Sequence, residues 1–96
     1  MSRDLEKKIE AYLCKEVNAR GGVALKLGLD KGRGFPDRTL ILKDGTVVFV
    51  ECKRPTGSVV SAHQKLWVEK LKSLKTNVYI VSSYADIDTL VSEYHD

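Results

Sequence analysis

Residues 34–53 read Gly34-Phe35-Pro36-Asp37-Arg38-Thr39-Leu40-Ile41-Leu42-Lys43-Asp44-Gly45-Thr46-Val47-Val48-Phe49-Val50-Glu51-Cys52-Lys53. Two strand-like runs, residues 39–42 and 47–50, flank Lys43-Asp44-Gly45-Thr46, a strong hairpin signal. A three-residue loop, Lys43-Asp44-Gly45 with Gly45 left-handed, pairs Leu42 with Thr46. Asp37 then sits directly across from Glu51. A two-residue turn at Asp44-Gly45 would instead set Asp37 opposite Cys52, on the wrong face. The three-residue loop, or a bulge restoring the same register, is therefore predicted. The second run is apolar throughout and reads as a central strand covered on both faces.

Charges follow that buried run directly. Side chains two apart on a strand share a face, so Glu51 and Lys53 emerge side by side. Pro36 fixes its own φ and pushes Phe35 into an extended conformation, which aims Asp37 rigidly. Cross-strand partners share a face, so the two carboxylates converge with Lys53 beside them. Carboxylates so close repel unless a cation lies between them. All-oxygen ligands suit a hard ion, Mg²⁺ or Mn²⁺. Such an ion would bridge a phosphate and a water, and Lys53 could orient or deprotonate that water. Each piece alone has a plainer reading, a strand-end ion pair and a Pro-Asp turn.

Outward from this stretch, Leu5, Ile9, Leu13 and Val17 recur every four residues, with Tyr12 beside them. They predict an amphipathic helix over residues 4–20, stopped by Gly21-Gly22. Residues 23–27 read as a short strand and residues 28–36 as a glycine-rich loop. A second helix spans residues 61–74, with Leu66, Trp67, Leu71 and Leu74 on one side. Residues 78–81 form another strand. The last helix starts near Ser83, with Asp86 completing a capping box, and buries Ile87, Leu90, Val91 and Tyr94. The order α-β-β-β-α-β-α predicts an α/β fold: a four-stranded mixed sheet flanked by helices, in a single domain over residues 1–96.

The chain has 96 residues, 43% hydrophobic and 30% charged, which is an ordinary globular composition. No stretch approaches a membrane span. The charged N-terminus does not read as a signal peptide, so a cytoplasmic location is expected. Cys14 and Cys52 are too few for a disulfide framework or zinc site and read as reduced, half-buried fillers. Net charge is +3, but the segment from Asp86 onward holds four acids and no Lys or Arg. The body before it is more basic, which fits a polyanion such as nucleic acid. Lys31, Arg33, Arg38 and Arg54 surround the carboxylates and are candidate DNA contacts. His63 and His95 read as structural or solvated, and Trp67 as core. No base-reading motif is present, so selectivity for DNA structure is expected over sequence specificity.

Pro36-Asp37, followed at a distance by Glu51-Cys52-Lys53, resembles the PD-(D/E)XK nuclease signature. Gly34-Phe35-Pro36-Asp37-Arg38, Val48 through Pro55 and Ser61-Ala62-His63-Gln64 are similar to the VRR-NUC branch in particular. The resemblance implies a restriction-endonuclease-like fold. It implies Asp37, Glu51 and the Cys52 backbone carbonyl as metal ligands and Lys53 as the catalytic lysine. It also implies a glutamate on the first helix and a glutamine on the second. Glu10 is the first choice for the glutamate, with Glu6 one turn away in reserve. Gln64 fits the glutamine, and Ser61 with Gln64 also forms a capping box. The expected activity is Mg²⁺- or Mn²⁺-dependent endonucleolytic hydrolysis of DNA. Stand-alone members resemble dimeric Holliday-junction resolvases, which implies a homodimer acting on branched or four-way DNA. Flaps, nicks or duplex are the alternative targets, and a non-catalytic DNA-binding module is the alternative class.

Overall fold

The computed structural model describes residues 2–27, 34–56 and 60–94. Helix α1 runs Ser2–Ala19. Its stripe buries Ile9, Leu13 and Val17, while Leu5 stays 42% exposed near the helix start. The stop at Gly21 has a specific geometry. Gly21 N–H donates to the Asn18 carbonyl and Gly22 N–H to the Val17 carbonyl, at 3.1 and 3.0 Å. These are the paired bonds of a Schellman motif, and they occupy two of the helix's orphan carbonyls.

Three antiparallel-linked strands follow: β1 Val23–Leu25, β2 Arg38–Ile41 and β3 Val47–Cys52. The first is two residues shorter than its apolar run suggests. The hairpin adopts the predicted three-residue loop. Leu42 N–H donates to the Thr46 carbonyl at 2.9 Å and Gly45 N–H to the Leu42 carbonyl at 2.8 Å. Gly45 has φ +91°, a conformation that a Cβ would strain. The Asp44 carboxylate accepts from Thr46 N–H at 3.0 Å and closes the loop from inside. The resulting ladder pairs Arg38 with Val50, Thr39 with Phe49, Leu40 with Val48 and Ile41 with Val47. Continued one step, that register sets Asp37 against Glu51.

Helix α2, Ala62–Ser73, carries the chain to β4, Asn77–Val81, which pairs parallel to β3. The sheet order is β1-β2-β3-β4, so β3 is interior, as predicted. Helix α3, Tyr84–Glu93, completes the expected α-β-β-β-α-β-α order.

Alternation along β3 divides the sheet into two faces. Val48, Val50 and Cys52 point to the face covered by α1 and α3. There they join Ile9, Leu13, Val17, Leu40, Val81, Ile87, Leu90 and Val91 in the core. Tyr12 on α1 ties to α3, donating to Asp88 at 2.6 Å. Phe49 lies on the other face, edge-on to Phe35, which is edge-on to Trp67 of α2. Trp67, read as core, is half-buried and packs on Phe35 outside the main core.

Four expectations need correction. Of the α2 stripe, Leu71 is buried and Trp67 half-buried, but Leu66 and Leu74 are 65% and 61% exposed. Leu66 is rotated ~100° from Trp67 around the helix, and Leu74 is the C-cap. Strand β3 is not covered on both faces throughout: Val47 is 40% exposed, in a cross-sheet row with Ile41 and Val23. At α3, Ser83 Oγ accepts from Asp86 N–H, but the Asp86 carboxylate accepts from Ser82 N–H instead of closing the box on Ser83. Cys52 is fully buried, and only Cys14 is half-buried.

Candidate active site

The site lies where β2 begins and β3 ends. Three local devices aim Asp37. Gly34 has φ +89°, and a Cβ there would stand 2.5 Å from the His63 carbonyl carbon and 2.7 Å from Gln64 N. Only glycine lets this loop press against the start of α2. Phe35 then inserts between Phe49 and Trp67, with ring centroids 5.6 and 5.0 Å away. Pro36 is buried behind it. Asp37 finally accepts the Cys52 N–H at 2.8 Å through one oxygen. This bond ties it to the far strand, beyond the last ladder pair.

Glu51 is 3% exposed. Its Oε2 accepts from Gln64 Nε2 at 2.7 Å, and the Lys53 ammonium stands 3.4 Å from the same oxygen. Its Oε1 is buried and has no hydrogen-bond partner among the described residues. Burial, and after it the negative charge of Asp37, pushes the Glu51 carboxyl up to about 7, against the pull of Lys53. Burial also raises Asp37, with the Cys52 N–H opposing and Glu10 and Glu6 adding to the rise. The cluster is thus short of positive charge. A buried carboxylate oxygen without a donor is costly unless something electrophilic meets it.

Gln64 closes the capping box and also reaches Glu51. Its Oε1 accepts from Ser61 N–H at 2.9 Å, while its own N–H donates to Ser61 Oγ at 3.2 Å. The capping box holds the side chain, and the spare amide hydrogens face Glu51. Cys52 contributes backbone only. Its thiol is buried on the core face, and burial with the field of Asp37 pushes its pKa far up, away from thiolate chemistry. Backbone N–H and C=O of one strand residue point to the same edge. The Cys52 carbonyl therefore faces Asp37, while Lys53 N–H turns to Val81 of β4.

The donor set suits a hard divalent cation: two carboxylates, one with an unsatisfied buried oxygen, and a backbone carbonyl. Among the described residues, no three His, Cys, Asp or Glu side chains come together as a metal cluster. Glu10, the first choice for the first-helix carboxylate, adds its negative charge at Asp37 and is itself ion-paired. It accepts from Arg38 Nε at 2.6 Å, with Lys26 Nζ 3.8 Å away. Arg38 is likewise occupied. It donates to Glu10 and, at 3.1 Å, to the Ala24 carbonyl, so its guanidinium faces α1 and β1 rather than solvent. Arg38 follows Asp37, so alternation turns it to the opposite face, where this pairing engages it. That alternation was the available signal. Arg54 Nε donates to the Thr56 carbonyl at 2.9 Å. Lys31 and Arg33, the other two candidate contacts, lie outside the described residues, as does His95.

A mixed sheet whose interior strand ends in Glu51-Cys52-Lys53, opposite a rigidly held Pro36-Asp37, is the architecture of a PD-(D/E)XK-type nuclease domain. No protein-family model matches the chain. It is 37% identical over 78 residues to a protein of Acyrthosiphon pisum secondary endosymbiont phage 1 named "Putative nuclease p44", covering 81% of this chain and 83% of that one. A solved structure titled "VRR_NUC domain" superposes with a TM-score of 0.86 at 30% identity, over 94% of this chain and 97% of that one. The chain belongs to the VRR-NUC nuclease family, in agreement with the resemblance read from its motifs.

Proposed function

We propose that the chain is a Mg²⁺- or Mn²⁺-dependent endonuclease that hydrolyses phosphodiester bonds in DNA. The observation that carries this reading is the buried Glu51 Oε1, without a partner among the described residues, beside Asp37 and Lys53. Asp37, Glu51 and the Cys52 carbonyl would hold the ion, joined by a carboxylate from α1. When bound, the ion supplies charge neutralisation at the scissile phosphate and acidifies a water. Gln64 holds Glu51 in place through the 2.7 Å bond. Lys53 orients the attacking water and offsets the negative charge that develops on phosphorus. The water oxygen bonds to phosphorus in line with the leaving 3′ oxygen. That oxygen departs and takes up a proton, leaving a 5′ phosphate.

One chain carries one such site, and two cuts in two strands need two chains. A twofold homodimer is the simplest arrangement. A four-way junction, itself twofold, is the substrate that fits two sites so related. Net charge +3 favours the polyanion.

The test is cleavage of a labelled four-way junction beside linear duplex of the same arms, with Mg²⁺ or Mn²⁺. Symmetric paired cuts in the junction alone are expected. Asp37→Ala should abolish them, a loss of roughly a thousandfold for several kcal/mol of transition-state stabilisation. DNA binding should survive. Cuts in flaps, nicks or duplex only would keep the chemistry and remove the junction assignment. A folded protein that binds DNA and cuts nothing with either metal would overturn the enzyme reading.

A further inference from the structure

We propose that the outer edge of β4 docks an extended basic segment of a partner protein, which adds to the sheet as a further strand beside α3. β1 and β4 are the two outer strands of the sheet. An outer strand presents a row of unpaired N–H and C=O groups, a template for another strand. Natural sheets blunt such edges with short strands, prolines, charges or bulges. β1 is blunted, being three residues long. β4 has none of these devices. It runs Asn77-Val78-Tyr79-Ile80-Val81, with no proline and no charge, and pairs with β3 at five consecutive positions without a bulge.

The register determines which groups this edge offers. Lys53 N–H donates to the Val81 carbonyl at 2.8 Å, so Val81 turns its backbone to β3. Alternation turns Tyr79 the same way, and Val78 and Ile80 outward. Among the described residues no other strand or loop pairs with those outward N–H and C=O groups. The Ile80 side chain is 41% exposed as well. A groove of about 210 Å³ follows the edge between β4 and α3, with Ile80 and Leu90 on its walls and Asp86 and Glu93 contributed by α3.

Charge selects the occupant. α3 carries Asp86, Asp88 and Glu93 and no Lys or Arg. A second copy paired through this edge about a twofold axis would bring two such acidic helices together. A DNA backbone is repelled by the same acids. An extended segment of alternating basic and apolar residues meets both features of the edge. Its backbone pairs with Val78 and Ile80, its basic side chains face Asp86 and Glu93, and its apolar ones cover Ile80.

The test is binding of two labelled peptides to the full chain, one alternating lysine with valine and one alternating glutamate with valine. Fluorescence anisotropy reads the affinity, and amide exchange by nuclear magnetic resonance reads the place. At low salt the lysine peptide should bind at least roughly tenfold tighter than the glutamate peptide. It should slow exchange at the Val78 and Ile80 amides. Ile80→Pro removes an outward donor and no bond to β3, and should weaken the lysine peptide roughly tenfold. Glu93→Lys lies on an exposed position of the last turn of α3, where a cation is favourable. It should keep the thermal midpoint and narrow the preference between the peptides. No binding of either peptide, equal affinity for both, or lysine-peptide binding without a change at Val78 and Ile80 overturns the proposal. Exchange at those amides that slows with protein concentration, in the absence of peptide, assigns the edge to a second copy and overturns it too.

Discussion

Glu51 concentrates the tension of this site in one side chain. Burial, and after it Asp37, pushes its carboxyl up from the ordinary 4.5 to about 7. A folded pKa above the unfolded one means that, between those values, the native chain holds a proton the unfolded chain has released. The stability this group contributes is complete below the unfolded value and lost as pH rises through the folded one. Metal-free protein in chelator should therefore lose several degrees of thermal midpoint from about pH 5 to about pH 8. Glu51→Gln should flatten that slope, because glutamine keeps an acceptor for Gln64 and carries no charge. Mn²⁺ should restore the wild-type midpoint at the alkaline end and do little for the variant, since only a native-state ligand stabilises. A slope that persists in Glu51→Gln would assign the pH dependence elsewhere. The stretch 34–53 already showed Asp37, Glu51 and Lys53 sharing a face, because strand alternation and hairpin register are local. It did not show the orphaned Oε1, which depends on α2 closing over the strand end.

Two elements aim the site, and they fail in different ways. The 34–37 loop works by close approach. Gly34→Ala places a Cβ 2.5 Å from backbone of α2 at positive φ. It should cost more than ~1 kcal/mol of stability and should lower cleavage further, because Asp37 moves with the loop. Unfolding midpoints and single-turnover rates on the same preparation separate the two effects. The N-terminus of α2 works by capping. Ser61→Ala removes the Oγ that accepts from Gln64 N–H and should cost about 1 kcal/mol, with cleavage largely kept. Gln64→Ala loses the other half of the box and also the 2.7 Å bond to Glu51. It should match Ser61→Ala in stability and fall well below it in rate. Equal rates for the two would reduce Gln64 to a cap. The capping pattern was legible in the sequence, since Ser61 and Gln64 are three apart. That the same amide reaches Glu51 was implied only by family likeness, because nothing local relates α2 to β3.

For the whole molecule, charge and symmetry make the testable claims. The chain carries +3 overall, and from Asp86 onward it has acids but no Lys or Arg. DNA binding should weaken steeply with salt, by orders of magnitude between about 50 and about 200 mM if several phosphates are neutralised. A flat salt response would argue against a phosphate-tracking surface. Mixing wild type with Asp37→Ala should turn paired junction cuts into single nicks if two chains act together. Light scattering on the unmixed proteins should show the dimer.

The sequence alone settled what short-range geometry controls. Gly45 in a three-residue loop sets the β2–β3 register, Pro36 stiffens the approach to Asp37, and Gly21-Gly22 ends α1 in paired carbonyl bonds. Each follows from φ preferences and strand alternation within a few residues. Tertiary structure decided what depends on segments meeting from far apart. Arg38 and Glu10, 28 residues apart, close into a 2.6 Å ion pair that no local pattern relates. Leu66 and the Val23–Ile41–Val47 row look like core in any helical or strand pattern, yet they stay exposed. Periodicity says which side chains share a face. Only packing says whether another element covers it, and which of two partners a charge finds there.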